Sequence, residues 1–304
     1  MQTTYESVLR EAAGADERIV VMTAENRVAI RNLANELGRR FIDVGIAEQT
    51  MVGAATGLAL RGRKPVVHAL ATFLTMRAFE FIRTDVGISG LPVKLVGGVP
   101  GFLSDGNGPT HQAIEDVALM RTIPPVQVFS PADSQDMTIG MPAILATDAP
   151  CYIRYNPLPP AVEHKSEFVV GGAEIVSEGS DITFLVHGFL LREVMRALPP
   201  LQKRGLSVRV VNMRMLKPVD EREILRAVRE TPLVVTVEDH LRTGGLATIL
   251  AETLMQSGLS ARVLPMALEK WFKPALLDDV LAYEGFTGPQ IAERVLKFLD
   301  QKIG

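Results

Sequence analysis

The stretch "FIDVGIAEQTMVGAATGLALRGRKPVVHAL", residues 41–70, decides the fold. It opens on a short apolar run (40–45) and closes on "KPVVHAL" (64–70), whose β-branched residues favour a pleated strand. Between them, residues 48–60 are small and apolar without alternation, which suits a helix packed closely on a sheet. Strand, helix and strand in this order form a βαβ unit, the building block of a parallel sheet. One acid, Glu48, stands at the turn into the helix. A carboxylate at the mouth of an apolar segment is costly to desolvate unless something pairs with it.

The same alternation runs outward in both directions. Further strands are expected at 18–24, 92–98, 126–132 and 150–156, with helices around 4–13, 48–60, 74–88, 113–121 and 133–147. The segment 156–174 is proline-rich, then charged, and interrupts the pattern as a linker would. Beyond it strands are expected at 181–188, 206–216, 233–239 and 261–267, and a last helix near 288–302. The expectation is α/β, with two doubly wound domains at 1–160 and 179–304 joined by a linker at 161–178, the second being smaller.

At 304 residues the chain exceeds the usual size of one domain, and its apolar content is sufficient for two cores. A formal charge of −3 with scattered basic residues gives no footprint for nucleic acid or an anionic membrane. The single Cys151 excludes an intrachain disulfide framework. The first residues carry acids and no apolar signal-peptide region, and no run approaches the ~20 apolar residues of a bilayer span. A cytoplasmic protein is expected.

Parallel sheets gather ligands at the carboxyl ends of their strands. The first strand ends in Glu25, the second leads to Glu48, and the third reaches "ATFLTMRAF" with Phe73, Met76 and Phe79. The fourth runs into "GGVPGFLSDGNGPTHQ" (97–112), containing Asp105, Asn107 and His111, and the sixth brings Arg154. Each has a structural reading beside the functional one. Glu48 suits a helix start, the Phe73, Met76, Phe79 stripe suits core packing, and Arg154 suits a surface ion pair. His111 could cap the next helix, and the glycines could serve turns. Their convergence on one edge is the argument for a site.

Four segments now carry a resemblance: "VGIAEQTMVGAATGLALRG", "ATFLTMRAFEFIRTDV", "DGNGPTHQAIEDVALMRTIPPVQVFSPAD" and "VEDHLRTGGLATILAE". Together, and in this order, they resemble the pyrimidine-binding and C-terminal domains of transketolases and related thiamine-diphosphate enzymes. The resemblance implies that Glu48 hydrogen-bonds a ring nitrogen of the cofactor's aminopyrimidine, favouring the imino form that takes the proton from the thiazolium carbon. A carboxyl in an apolar pocket is suited to sharing a proton with a weakly basic ring. It also implies that Phe73 and Phe79 pack on that ring, with Met76 where many relatives carry a third aromatic. Glu25 falls where the family has another active-site acid. His111 and Arg154 fall where transketolases contact the sugar and its terminal phosphate.

The family's diphosphate site, a "GDG" followed by an asparagine and holding Mg2+ or Ca2+, has no counterpart here. The chain thus resembles the second subunit of a split enzyme, inert alone, with the cofactor shared with an N-terminal diphosphate-binding subunit in an α2β2 assembly. Val99 replaces a histidine expected near the substrate carbonyl, Asn107 replaces an acid that contacts a sugar hydroxyl, and "MQTTYE" lacks a phosphate-binding arginine. Two-carbon ketol transfer is expected, with the sugar open. The alternatives are a pyruvate- or 2-oxoacid-using relative, of deoxyxylulose-phosphate synthase or dehydrogenase β-subunit type, and a non-catalytic scaffold. In the C-terminal half, Glu238, Asp239 and His240 are read as shaping a strand end and turn.

Overall fold

The computed structural model describes residues 3–301. In the first sheet β1 (Ile19–Thr23), β2 (Phe41–Asp43), β3 (Lys64–Leu70), β4 (Lys94–Gly98), β5 (Gln127–Phe129) and β6 (Cys151–Arg154) run parallel, in the order β5-β6-β4-β3-β1-β2. In the second, β8 (Ile182–Val186), β9 (Val208–Asn212), β11 (Leu233–Leu241) and β12 (Val263–Leu268) are parallel. Each sheet takes one antiparallel edge strand: β7 (Glu174–Ser177) beside β9, and β10 (Met215–Lys217) beside β5. The result is two parallel-dominated α/β sheets of seven and five strands.

Helices cover both faces of the first sheet, so its inner strands are buried throughout. On one face Met22, Val67 and Leu95 pack with Met51, Val52 and Ala55 of the helix Glu48–Leu60. On the other, Val21, Val66, Val96 and Ile153 pack with Tyr5, Leu9 and Met141. Each fully buried large side chain contributes about 1.5–3 kcal/mol. Packing thus fixes where the strand ends, and the loops beyond them, must lie.

Three local expectations need correction. The strand expected at 206–216 is two strands, β9 and β10, which belong to different sheets. Between them Arg214 is buried in ion pairs with Asp136 (2.9 Å) and Glu174 (2.6 Å), and the chain turns there from one sheet to the other. The stretch 161–178 is no bare connector. It supplies β7 and the buried His164, whose ring bonds Asp133 and Glu174, each at 2.7 Å. The helix expected at 74–88 consists of π-helical turns, Phe73–Arg77 and Ile82–Gly87, around a short α-helical piece, Phe79–Phe81. Such wide turns rotate side chains out of the 3.6-residue register. Leu74, Ala78 and Ile82 therefore fill the core, while Phe73, Met76 and Phe79 are left half-buried. No helix among the described residues is long and apolar enough to cross a membrane.

Candidate active site

The site begins at the edge formed by β1 and β2. The loop after β2 turns through Gly45, whose φ of 71° strains any other residue, and delivers Glu48 to the first position of the helix Glu48–Leu60. Asp43 holds this corner together. Its Oδ1 accepts the backbone N–H of Gly45 at 2.8 Å and that of Glu25 at 3.3 Å, and its Oδ2 pairs with Arg27. Burial raises the Asp43 pKa, but the Gly45 N–H and Arg27 outweigh it, so the net shift is downward. Glu25 is exposed, with a φ of 69°, unusual for a non-glycine residue.

Glu48 is 2% exposed, and its Oε2 accepts a hydrogen bond from Arg77 Nη1 at 2.9 Å. The same guanidinium lies over the Phe73 ring, 4.1 Å from its centroid. The His111 ring meets Phe73 edge-on at 5.1 Å, and its Nδ1 faces the Thr110 hydroxyl at 3.0 Å. The structure thus joins Glu48, Arg77, Phe73 and His111 in one chain of contacts drawn from three strand ends. Met76 stays beside Thr72, its sulfur 3.5 Å from that hydroxyl, and Phe79 packs at the margin of the core. Asn107 is exposed on the 97–112 loop.

Arg154, read from the sequence as a substrate contact, is placed apart from them. It is 2% exposed, and its Nε donates to Asp116 at 2.8 Å while its Nη1 donates to Asp239 at 2.6 Å. Burial opposes the charge, yet the two carboxylates more than offset it and raise the pKa. Residue 154 follows Tyr152 on the same face of β6, and that face is turned toward the second sheet's Asp239. Its donors are already spent on tying the two halves of the chain together.

A cavity of about 270 Å3 lies at the ends of β1, β3, β4 and β6. Val28, Leu70, Val99 and Leu103 make it mainly apolar, with Asn26, His68 and Tyr155 as polar neighbours. Burial pushes His68 down to about 4, so its ring is neutral; Nδ1–H donates to the Met22 carbonyl and Nε2 accepts from Tyr5. Val99 has a φ of 48°, a strained conformation for a β-branched residue.

Away from this edge, Glu238 accepts the backbone N–H groups of Leu246 (2.6 Å) and Ala247 (2.9 Å), capping the helix Leu246–Ser257. Burial pushes it up to about 8. Glu238, Asp239 and His240 are all buried, which agrees with their structural reading. Sequence reasoning did not single out Arg77, Asp43 or Asp116, and it read Asp239 only as part of a strand end. Only Arg77 left a usable signal, a cation set within the aromatic stripe four residues after Phe73.

Comparison with known proteins bears on this arrangement. Residues 1–157 match the transketolase pyrimidine-binding domain, and residues 171–291 match the transketolase C-terminal domain. The chain is 37% identical over 258 residues to the 6-deoxy-6-sulfo-D-fructose transketolase subunit SqwH of Clostridium sp. (strain MSTE9), covering 84% of this chain and 80% of that one. It is 31% identical to an apulose-4-phosphate transketolase subunit of Phocaeicola vulgatus, covering 97% and 96%. It is also 34% identical to the 1-deoxy-D-xylulose-5-phosphate synthase of Syntrophotalea carbinolica, but spans only 48% of that protein. Among solved structures, a split gene transketolase in an inactive beta4 tetramer superimposes with a TM-score of 0.89 at 31% identity, covering 98% of both chains. With both domains matched in order over most of its length, the chain belongs to the transketolase family.

Proposed function

We propose that this chain is the C-terminal-type subunit of a split transketolase, which moves a two-carbon ketol unit from a ketose to an aldose with thiamine diphosphate bound between it and an N-terminal-type subunit. The single observation that carries the reading is the buried Glu48 carboxylate, held by Arg77, whose guanidinium lies over the Phe73 ring. Oε2 is taken by Arg77, whereas no hydrogen bond occupies Oε1 among the described residues. A free carboxylate oxygen, linked through Arg77 to the half-buried Phe73, fits a flat heterocycle that must be both hydrogen-bonded and packed.

When bound, the cofactor supplies the nucleophilic carbon and the electron sink for carbon–carbon cleavage. This chain's own residues have narrower tasks. Glu48 shares a proton with the pyrimidine ring. Phe73, Met76 and Phe79 pack on that ring and exclude water, and Glu25 stands at the rim. His111 offers a ring nitrogen for moving a proton at the substrate's oxygens, and Asn107 offers an uncharged donor and acceptor to a sugar hydroxyl. Val99, where transketolases carry histidine, moves no proton.

The diphosphate and its Mg2+ or Ca2+ fall to the partner subunit, and an α2β2 assembly follows. The exposed Val28 (76%) and Ile46 (70%) flank the mouth of the site and suit an interface with that partner. The likeness to deoxyxylulose-phosphate synthase favours a second reading, one half of a pyruvate-using enzyme. The test is co-expression with the N-terminal-type subunit and assay with ketose, pyruvate and 2-oxoacid donors. Glu48→Gln is expected to abolish ketol transfer while leaving assembly intact. Full activity of that variant refutes the role of Glu48, and turnover of pyruvate alone moves the chain to the second reading.

A further inference from the structure

Arg77 makes two contacts at once. One guanidinium N–H reaches Glu48 Oε2 at 2.9 Å, and the central carbon of the same group lies over the Phe73 ring, 4.1 Å from its centroid. A carboxylate attached through rotatable bonds would otherwise be free to turn, and Ala47, the residue before the helix, brings no side-chain cap that could restrain it. The Glu48 carboxylate carries no other hydrogen bond among the described residues. The π-helical turn Phe73–Arg77 sets both partners: its closing bond, from the Ala78 N–H to the Phe73 carbonyl at 3.2 Å, places Arg77 back over Phe73. The guanidinium is rigid and planar, so stacking on the ring fixes the direction in which its N–H points.

We propose that Arg77 is the positioning residue of the site. By holding Oε2 of Glu48 against a stacked guanidinium, it turns Oε1 toward the pyrimidine ring nitrogen. This inference rests on the function proposed above and deepens it. Arg77 touches neither substrate nor the reacting carbon; it acts through the orientation of one carboxylate. Lost orientation lowers the rate of proton transfer far more than it weakens the many contacts of a bound ligand. Its side chain is 41% exposed, so substitution leaves the core untouched.

The experiment uses the co-expressed two-subunit complex, stripped of cofactor and reloaded with thiamine diphosphate and Mg2+, as wild type, Arg77→Ala and Arg77→Gln. Cofactor affinity is read by calorimetric titration, and proton transfer by hydrogen–deuterium exchange at the thiazolium carbon of the bound cofactor. For Arg77→Ala, exchange is expected to slow on the order of 10- to 100-fold, with affinity changed by less than about threefold. Arg77→Gln, whose planar amide still donates to Oε2, is expected to recover part of the rate. Unchanged exchange in Arg77→Ala overturns the proposal. Tighter cofactor binding in that variant overturns it too, because Arg77 would then occupy the ring's place. A wild-type complex that binds no thiamine diphosphate sinks the functional reading itself, and this inference with it; a wild type that binds and exchanges like Arg77→Ala refutes this inference alone.

Discussion

Replacing Arg154 with methionine separates a structural cation from a substrate-binding one. The guanidinium bonds Asp116 at 2.8 Å and Asp239 at 2.6 Å, and all three side chains are at most 3% exposed. Methionine fills similar space, so the loss is mainly electrostatic. Asp116 would keep the Tyr152 hydroxyl at 2.7 Å, whereas Asp239 would keep only the Phe102 backbone N–H at 3.3 Å. The penalty therefore falls mostly on Asp239, a carboxylate left buried with one long hydrogen bond. Removing one partner of a buried ion pair costs about 3–5 kcal/mol. At roughly 2–4 °C per kcal/mol, the midpoint of thermal unfolding should fall on the order of 10 °C. Circular dichroism of the purified chain measures it. A shift under about 2 °C, with weakened binding of anionic sugars in the assembled enzyme, would refute this assignment and restore Arg154 to the substrate site.

Two further outcomes follow from the geometry. Burial lowers the His164 pKa, but hydrogen bonds to Asp133 and Glu174 outweigh it and raise it to about 10 from an ordinary 6.5. The stability it contributes is thus whole below about pH 6.5 and lost as pH rises through 10. Melting temperatures between pH 6 and 10.5 should decline less steeply in His164→Gln than in wild type, and parallel curves would exclude the role. Val99→Gly removes a strain of about 1–3 kcal/mol at a φ of 48°, against about 0.4–1 kcal/mol of added unfolded-chain entropy. Urea denaturation should therefore show equal or greater stability, and a loss above about 1 kcal/mol would show that the backbone there is unstrained.

The βαβ alternation was legible because every strand of a parallel sheet must carry its own apolar, β-branched run, and such runs are local. Glu48 was legible for the same reason: a lone acid beside "MVGAATGLAL" is visible without neighbours. The 74–88 segment was misjudged because a π-turn differs from an α-turn by one hydrogen bond, which the spacing of Phe73, Met76 and Phe79 does not encode.

Residue pattern alone therefore determined the two sheets, their order along the chain and the acid at the crevice. Only the tertiary structure decided that β10 crosses to the first sheet, that Arg154 is paired with Asp116 and Asp239, and that Arg77 is the cation bonded to Glu48. Secondary structure and burial follow from short-range periodicity, whereas the partner of a charge is set by which strand ends are brought together in space. Asp116 and Asp239 lie 38 and 85 residues from Arg154, and no local pattern spans such distances.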